Sequence, residues 1–185
     1  MATLDPRIVT LRDGRTATIR SGDERDAPAS REFGRRELGL SNQVVTRPDE
    51  YPADVDVERE RIVALRDDPN ALLLFAFSPV GELVGSMRFF TDKRRRARHA
   101  GQFGLLVIES WRGVGLGRVM IEVLIDWARP HAEIEKICLG VFHTNPLAHG
   151  LYLRMGFVEE GRQRGHFKLE DGTRIDEILM ALWVK

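Results

Sequence analysis

Arg112-Gly113-Val114-Gly115-Leu116-Gly117-Arg118 sets three alternating glycines between a strand pattern and an amphipathic helix pattern. Glycine removes the side chains that would hold a ligand away from the backbone. Exposed N–H groups and the positive end of the helix dipole then converge on one anion, and a pyrophosphate suits that geometry. Arg112 and Arg118 flank the turn and can add charge-assisted hydrogen bonds. Two other phosphate loops fail on residue identity. Counted from Gly113, a dinucleotide fingerprint needs glycine where Arg118 stands, and no Gly-Lys-Ser/Thr triplet supplies a nucleotide P-loop.

The turn sits late in a pattern of short elements. Ile8–Leu11 and Thr16–Arg20 flank Asp13-Gly14, a hairpin signal. Helices are expected from about Asp26 to Leu38 and from about Ala53 to Arg66, the second ended by Asp67-Asp68-Pro69-Asn70. Ala71–Phe77 reads as a buried strand, Leu83–Thr91 as its partner, and Gln102–Ile108 as the strand entering the glycine turn. A helix from Val114 to about Ala128, a strand Lys136–Phe142, a short helix Pro146–Met155 and a closing hairpin, Phe157–Lys168 with Arg174–Val184, complete the chain. Hairpin links mixed with helical crossovers predict an α/β fold whose mixed sheet carries helices on its faces. Nothing repeats and no linker composition divides the 185 residues, so one domain over 1–185 is expected.

A second segment carries chemistry: Asn145-Pro146-Leu147-Ala148-His149-Gly150-Leu151-Tyr152-Leu153-Arg154-Met155-Gly156-Phe157. Asn145 suits a helix N-cap, Pro146 the first helical position and Gly156 the C-terminal stop. Asn145, Ala148 and Tyr152 fall three and four residues apart, on one helix face. Ala148 leaves room there, while Asn145 and Tyr152 offer polar groups to a ligand lying along it. Gly150 inside so short a helix costs about 1 kcal/mol relative to alanine.

Together the two segments resemble the GNAT superfamily of N-acetyltransferases. Arg112–Gly117 fits the family's Arg/Gln-x-x-Gly-x-Gly/Ala run, and Asn145–Phe157 is similar to its Asn-x-x-Ala-x-x-Leu-Tyr-x-x-x-Gly-Phe stretch, apart from His149 at a usually aliphatic position. The resemblance implies a mostly antiparallel central sheet of about seven strands with an extra N-terminal hairpin strand. It also implies acetyl-CoA as co-substrate. Arg112, Gly113, Val114, Gly115, Leu116, Gly117 and Arg118 would hold the pyrophosphate, and Leu105, Leu106 and Val107 would pair with the pantetheine arm. Asn145, Ala148 and Tyr152 would line the arm's far side. By the same resemblance, Gln102–Ile108 and Lys136–Phe142 splay apart, a backbone N–H near Val107 supports the acyl oxygen, and Tyr152 protonates the departing thiolate.

No base stands out. Gln102 cannot usefully accept a proton, Glu109 reads as a solvated turn carboxylate, and His99 and His143 are lone histidines near strand ends, so a water relay is expected. Lys93–His99, the one strong charge run, reads as a solvated connection. Cys138, the only cysteine, lies in a strand pattern and reads as a buried, inert thiol. The histidines show no helical His-x-x-x-His pair, so no metal is expected.

Lys plus Arg and Asp plus Glu each number 28, which argues against a basic surface for nucleic acid. No apolar run approaches the roughly 18 residues of a membrane span, and no signal-peptide core opens the chain. A lone cysteine and the absence of both signals imply a cytoplasmic protein. Acceptor choice in the family rests on regions corresponding here to Phe33–Val57 and Glu159–Arg174. His99–Gly104, and the ending from Asp171-Gly172 through Asp176-Glu177 to Met180, look like bacterial enzymes that acetylate free amino acids. The expected acceptor is therefore the primary amine of a small molecule such as an amino acid. A protein N-terminal or lysine acetyltransferase and a silent acyl-CoA-binding module are the alternatives, and a homodimer through the closing strands is a packing common in such folds.

Overall fold

Asp13 and Gly14 close the first hairpin of the computed structural model, which describes residues 4–40 and 42–185. Gly14 takes φ 84°, a left-handed conformation that glycine enters without strain, and Leu11 N–H donates to the Arg15 carbonyl across the turn. The hairpin joins β1 (Arg7–Thr10) to β2 (Thr16–Ser21). A 3-10 turn (Glu24–Asp26) then leads into α1 (Ala27–Leu40). α2 (Val55–Asp67) starts at Asp54, whose side chain accepts from Asp56 N–H at 2.9 Å.

β3 (Leu72–Phe77), β4 (Leu83–Thr91) and β5 (Ala100–Val107) follow as an antiparallel meander. After a 3-10 turn (Glu109–Trp111) come α3 (Leu116–Ala128), β6 (Lys136–Phe142), α4 (Pro146–Arg154), β7 (Val158–Lys168) and β8 (Arg174–Trp183). The eight strands form one sheet in the order β1-β2-β3-β4-β5-β6-β8-β7. Only β5 and β6 pair in parallel. The element order expected from sequence is the one observed, and the sheet is the expected mixed, mostly antiparallel one.

Several boundaries move for physical reasons. The helix expected from Val114 begins at Leu116, because Gly113 and Gly115 hold φ of 75° and 101°, outside the helical region. The strand expected from Gln102 begins at Ala100, where pairing to β6 starts. The helix expected to end at Leu38 runs to Leu40. The short helix ends at Arg154, since Gly156 at φ 92° turns the chain out toward β7.

Cross-strand register divides the sheet into two faces. Gly85, Met87 and Phe89 of β4 look toward α3: a Cβ on Gly85 would lie 3.0 Å from the Met120 sulfur, and the Phe89 ring meets Trp127 edge-on at 5.5 Å. Phe89 is fully buried, and Gly101, diagonal to it on β5, must lack a side chain, because a Cβ there would sit 2.1 Å from the ring. Ser86, Arg88 and Phe90 therefore point the other way, toward the face on which α1 and α2 pack.

Candidate active site

β5 and β6 part company. Their pairing covers Ala100 with Lys136, Gly101 with Ile137 and Gln102 with Cys138, and stops there, although both strands continue. Ile108 N–H donates to Val84 on the β4 side, whereas the His99 carbonyl accepts from Lys136 N–H on the β6 side. Backbone groups alternate along a strand, so the N–H groups of Phe103, Leu105 and Val107 face β6. Phe103 N–H closes the last rung, opposite Cys138, and beyond it the N–H groups of Leu105 and Val107 have no ladder partner on that side. The result is a wedge-shaped gap in the middle of a continuous sheet, edged by free main-chain donors.

The glycine turn stands at the open end of this wedge. Gly115 is the N-terminal cap of α3, and the close approach of α3 to β5 depends on Gly117, whose Cβ would lie 3.3 Å from Leu105 Cδ2. The turn therefore lies at the N-terminus of α3, close to β5. The flanking arginines are otherwise engaged. Arg112 Nε donates to the Val107 carbonyl at 2.8 Å, and its Nη2 lies 3.5 Å from Glu37 Oε2. Arg118 pairs with Glu122 one helical turn on, at 2.8 Å.

A third arginine arrives from elsewhere. Arg12, in the β1–β2 turn, donates its backbone N–H to the Val114 carbonyl at 3.1 Å. Its side-chain atoms lie 3.7–3.9 Å from where a Gly115 Cβ would be, and its exposed guanidinium bonds no described residue. Arg15 pins the same hairpin down, donating to the Ser110 carbonyl at 3.0 Å and stacking on Trp111 at 4.4 Å. Sequence reasoning missed Arg12, since no local pattern says that the first hairpin docks on this turn.

α4 forms the other wall. The Asn145 side chain accepts from Ala148 N–H at 3.1 Å, so its carbonyl oxygen is spent on the cap rather than left for a ligand. Tyr152 packs edge-on against Phe103 and Phe157, with ring centres 5.9 and 5.8 Å away. Burial pushes its phenol up to about 12, so the hydroxyl keeps its proton throughout the physiological range. That hydroxyl bonds no described residue. His149, the departure noted in the sequence, is occupied by Glu159 at 2.7 Å.

The chain matches the Acetyltransferase (GNAT) family over residues 38–157. It belongs to that family. Among curated relatives, the L-amino acid N-acetyltransferase AaaT of Escherichia coli is 29% identical over 164 residues, covering 88% of this chain and 95% of that protein. The [Ribosomal protein bS18]-alanine N-acetyltransferase of Escherichia coli is 34% identical over 103 residues, 53% of this chain and 65% of that protein. Among solved structures, a GNAT-family acetyltransferase from Streptococcus pneumoniae superposes with a TM-score of 0.86 at 25% identity, covering 91% of this chain and 99% of that one. The yncA protein of Salmonella typhimurium, solved with its cofactor acetyl-CoA, superposes at 0.80 with 20% identity, covering 91% and 94%.

The protein is accordingly an acetyl-CoA-dependent acetyltransferase of the GNAT fold. Acetyl-CoA supplies an activated acyl group on a thioester, and the residues present fit it: unladdered strand donors along the wedge, a turn with three alternate glycines at its mouth, and a protonated phenol on its wall. Other polar groups singled out in the sequence lie apart from this wedge or are already paired. His143 Nδ1 accepts from Asp176 N–H at 3.1 Å, and Arg98 pairs with Glu133 at 2.8 Å in the basic connection. Cys138 is half-buried, not buried as its strand pattern predicts, and its partial burial raises the thiol. No helix among the described residues is long and apolar enough to cross a membrane, and none of them gather into a group of three or more metal-binding side chains.

Proposed function

We propose that the acceptor is an α-amino group, carried by the first residue of a peptide or protein or by a free amino acid. The observation that carries this reading is shared by the two curated relatives: one acts on L-amino acids and the other on an alanine of a ribosomal protein. The narrower expectation of a small-molecule amine alone is too restrictive beside the second of these. An open face also supports a peptide acceptor, because Arg88, Phe90, Gln102 and Gly104 are exposed in the middle of the sheet on the α1/α2 side.

On this reading the two substrates reach the wedge from opposite faces. The acyl-pantetheine arm lies along Leu105, Leu106 and Val107, while Arg112–Arg118 cradle the pyrophosphate. Transfer joins the acceptor nitrogen to the acyl carbon and breaks the carbon–sulfur bond. Val107 N–H supports the charge that develops on the acyl oxygen. Tyr152 hands its proton to the leaving sulfur and regains one from solvent, while the nitrogen's proton leaves through water. Mass spectrometry of products from an amino-acid and peptide panel tests the assignment. Acetyl on the α-nitrogen supports it; acetyl confined to lysine side chains, polyamines or aminoglycosides refutes it.

Arg12 completes the phosphate side of this proposal. Arg12→Ala is expected to weaken CoA binding by about 1 kcal/mol, roughly fivefold, the lower range for a bond to a charged group at an exposed site. Affinity for S-acetylpantetheine, which lacks the pyrophosphate, should not change. Calorimetry with both ligands checks this, and equal loss on the two would remove Arg12 from the phosphate site.

A further inference from the structure

The exposed strip in the middle of the sheet has an uneven charge. β4 and β5 pair Ser86 with Leu106, Arg88 with Gly104 and Phe90 with Gln102, so all six share the α1/α2 face. Arg88 is the charged member. Its Nε lies 3.9 Å from where a Gly104 Cβ would stand, so the glycine opposite leaves its head free to move. No hydrogen bond or ion pair ties it to a described residue.

Around it, no described anion is bonded to Arg88. Glu58 of α2 is fully buried; its Oε1 accepts from Ser30 Oγ at 2.6 Å, Arg61 Nη2 at 2.8 Å and Tyr51 hydroxyl at 3.2 Å, while its Oε2 is buried without a partner. Arg61 is thereby tied to Glu58 and Tyr51, while its Nε remains buried without a partner.

Across the wedge the sign reverses. Gln102 registers with Cys138, so Gly140 two residues on shares the same face. A Cβ on Gly140 would collide with Glu177 Oε1, which therefore covers that spot from β8. Among the described residues the Glu177 carboxylate has one charged neighbour, His166, at 3.8 Å. β4 and β6 stand two strand spacings apart, about 10 Å before the splay adds to it. A flexible arginine on one side and a carboxylate on the other fit an acceptor that carries both signs.

We propose that Arg88 sets acceptor specificity by binding a carboxylate that the acceptor carries within one residue of its nucleophilic amine. Glu177, on the far side, repels that carboxylate and favours the orientation that turns the amine toward the wedge. The carboxylate is the α-carboxylate of a free amino acid or the acidic side chain at the start of a peptide. This rests on the α-amine reading above and adds the chemical class that the site selects.

The test compares a free L-amino acid, its carboxamide, and dipeptide amides with neutral or acidic first residues. CoA-thiol release gives kcat and KM for wild type, Arg88→Gln and Arg88→Lys, with calorimetry of acetyl-CoA alongside. Arg88→Gln should raise KM about 10- to 100-fold for carboxylate-bearing acceptors, the cost of removing a charge-assisted partner, with kcat changed little. Arg88→Lys should fall between, because a lysine keeps the charge but not the bidentate fork. The carboxamide and neutral peptide should be poor wild-type acceptors and indifferent to both substitutions, and acetyl-CoA affinity should not move. Preference for the free acid assigns the α-carboxylate, and preference for the acidic peptide assigns the side chain. If wild type discriminates neither acid from carboxamide nor acidic from neutral peptide, or if Arg88→Gln loses equally on the charged and neutral members of each pair, the proposal is overturned while the α-amine reading stays intact. No transfer to any α-amine overturns both.

Discussion

Gly115→Glu is expected to abolish CoA binding in a protein that still folds. Three effects act together. The position holds φ of 101°, which costs a non-glycine residue about 1–3 kcal/mol. The new carboxylate adds negative charge where the pyrophosphate is proposed to bind and fills the space that Arg12 lines at 3.7–3.9 Å. It also draws Arg12 into an ion pair and so removes that cation from the ligand. Calorimetry should show about a tenfold loss for each 1.4 kcal/mol of charge repulsion, to which the filled space and the loss of Arg12 add, whereas the backbone strain is present with and without ligand and lowers stability instead. Gly115→Ala, which adds strain but no charge, should fall between wild type and Gly115→Glu. Unchanged affinity in a folded Gly115→Glu would end the pyrophosphate assignment.

Tyr152→Phe should leave acetyl-CoA affinity within about threefold and lower kcat by about 10²-fold, the lower range for losing a positioned general acid. The ring keeps its place between Phe103 and Phe157, so packing is preserved and only the proton is lost. With the phenol at about 12, ionisation of Tyr152 should not depress the wild-type rate below about pH 11. The rate should instead rise with pH as the acceptor amine loses its proton. Stability carries the same sign information. A phenol raised from 10 to about 12 on folding contributes stability that is fully present below pH 10 and is lost as pH rises toward 12. Tyr152→Phe should remove that alkaline loss, which denaturant titrations at pH 9 and pH 11.5 can read. An undiminished kcat, with chemistry shown to limit the rate, would take the acid role from Tyr152.

Much of this was legible in the chain because it is local. Asp13-Gly14, the alternation through Leu83–Thr91, and Asn145-Pro146 before Tyr152 each specify their own turn, strand or cap within a few residues. The glycine run was equally plain, though not that Gly113 and Gly115 delay the helix to Leu116. What was not legible depends on contacts between distant segments. The wedge exists because β5 and β6 stop pairing after Gln102, and no periodicity within either strand encodes that. Nothing in the glycine run shows that Arg112 Nε donates to the Val107 carbonyl. Arg12 looked like a turn residue until its hairpin docked on Val114. Asn145 was read as both cap and ligand, and the cap takes its oxygen. Arg88 and Glu177 became a pair only through strand register, which sets them on one face from opposite sides of the wedge.

The most direct test of the site is a crystal structure of the protein with acetyl-CoA. The account predicts the pantetheine arm between β5 and β6, its amides bonded to the main chain at Leu105, the acyl oxygen facing Val107 N–H, and the pyrophosphate on the N–H groups of Gly113–Arg118. A cofactor bound elsewhere, with Gln102–Val107 untouched by the arm, would contradict it.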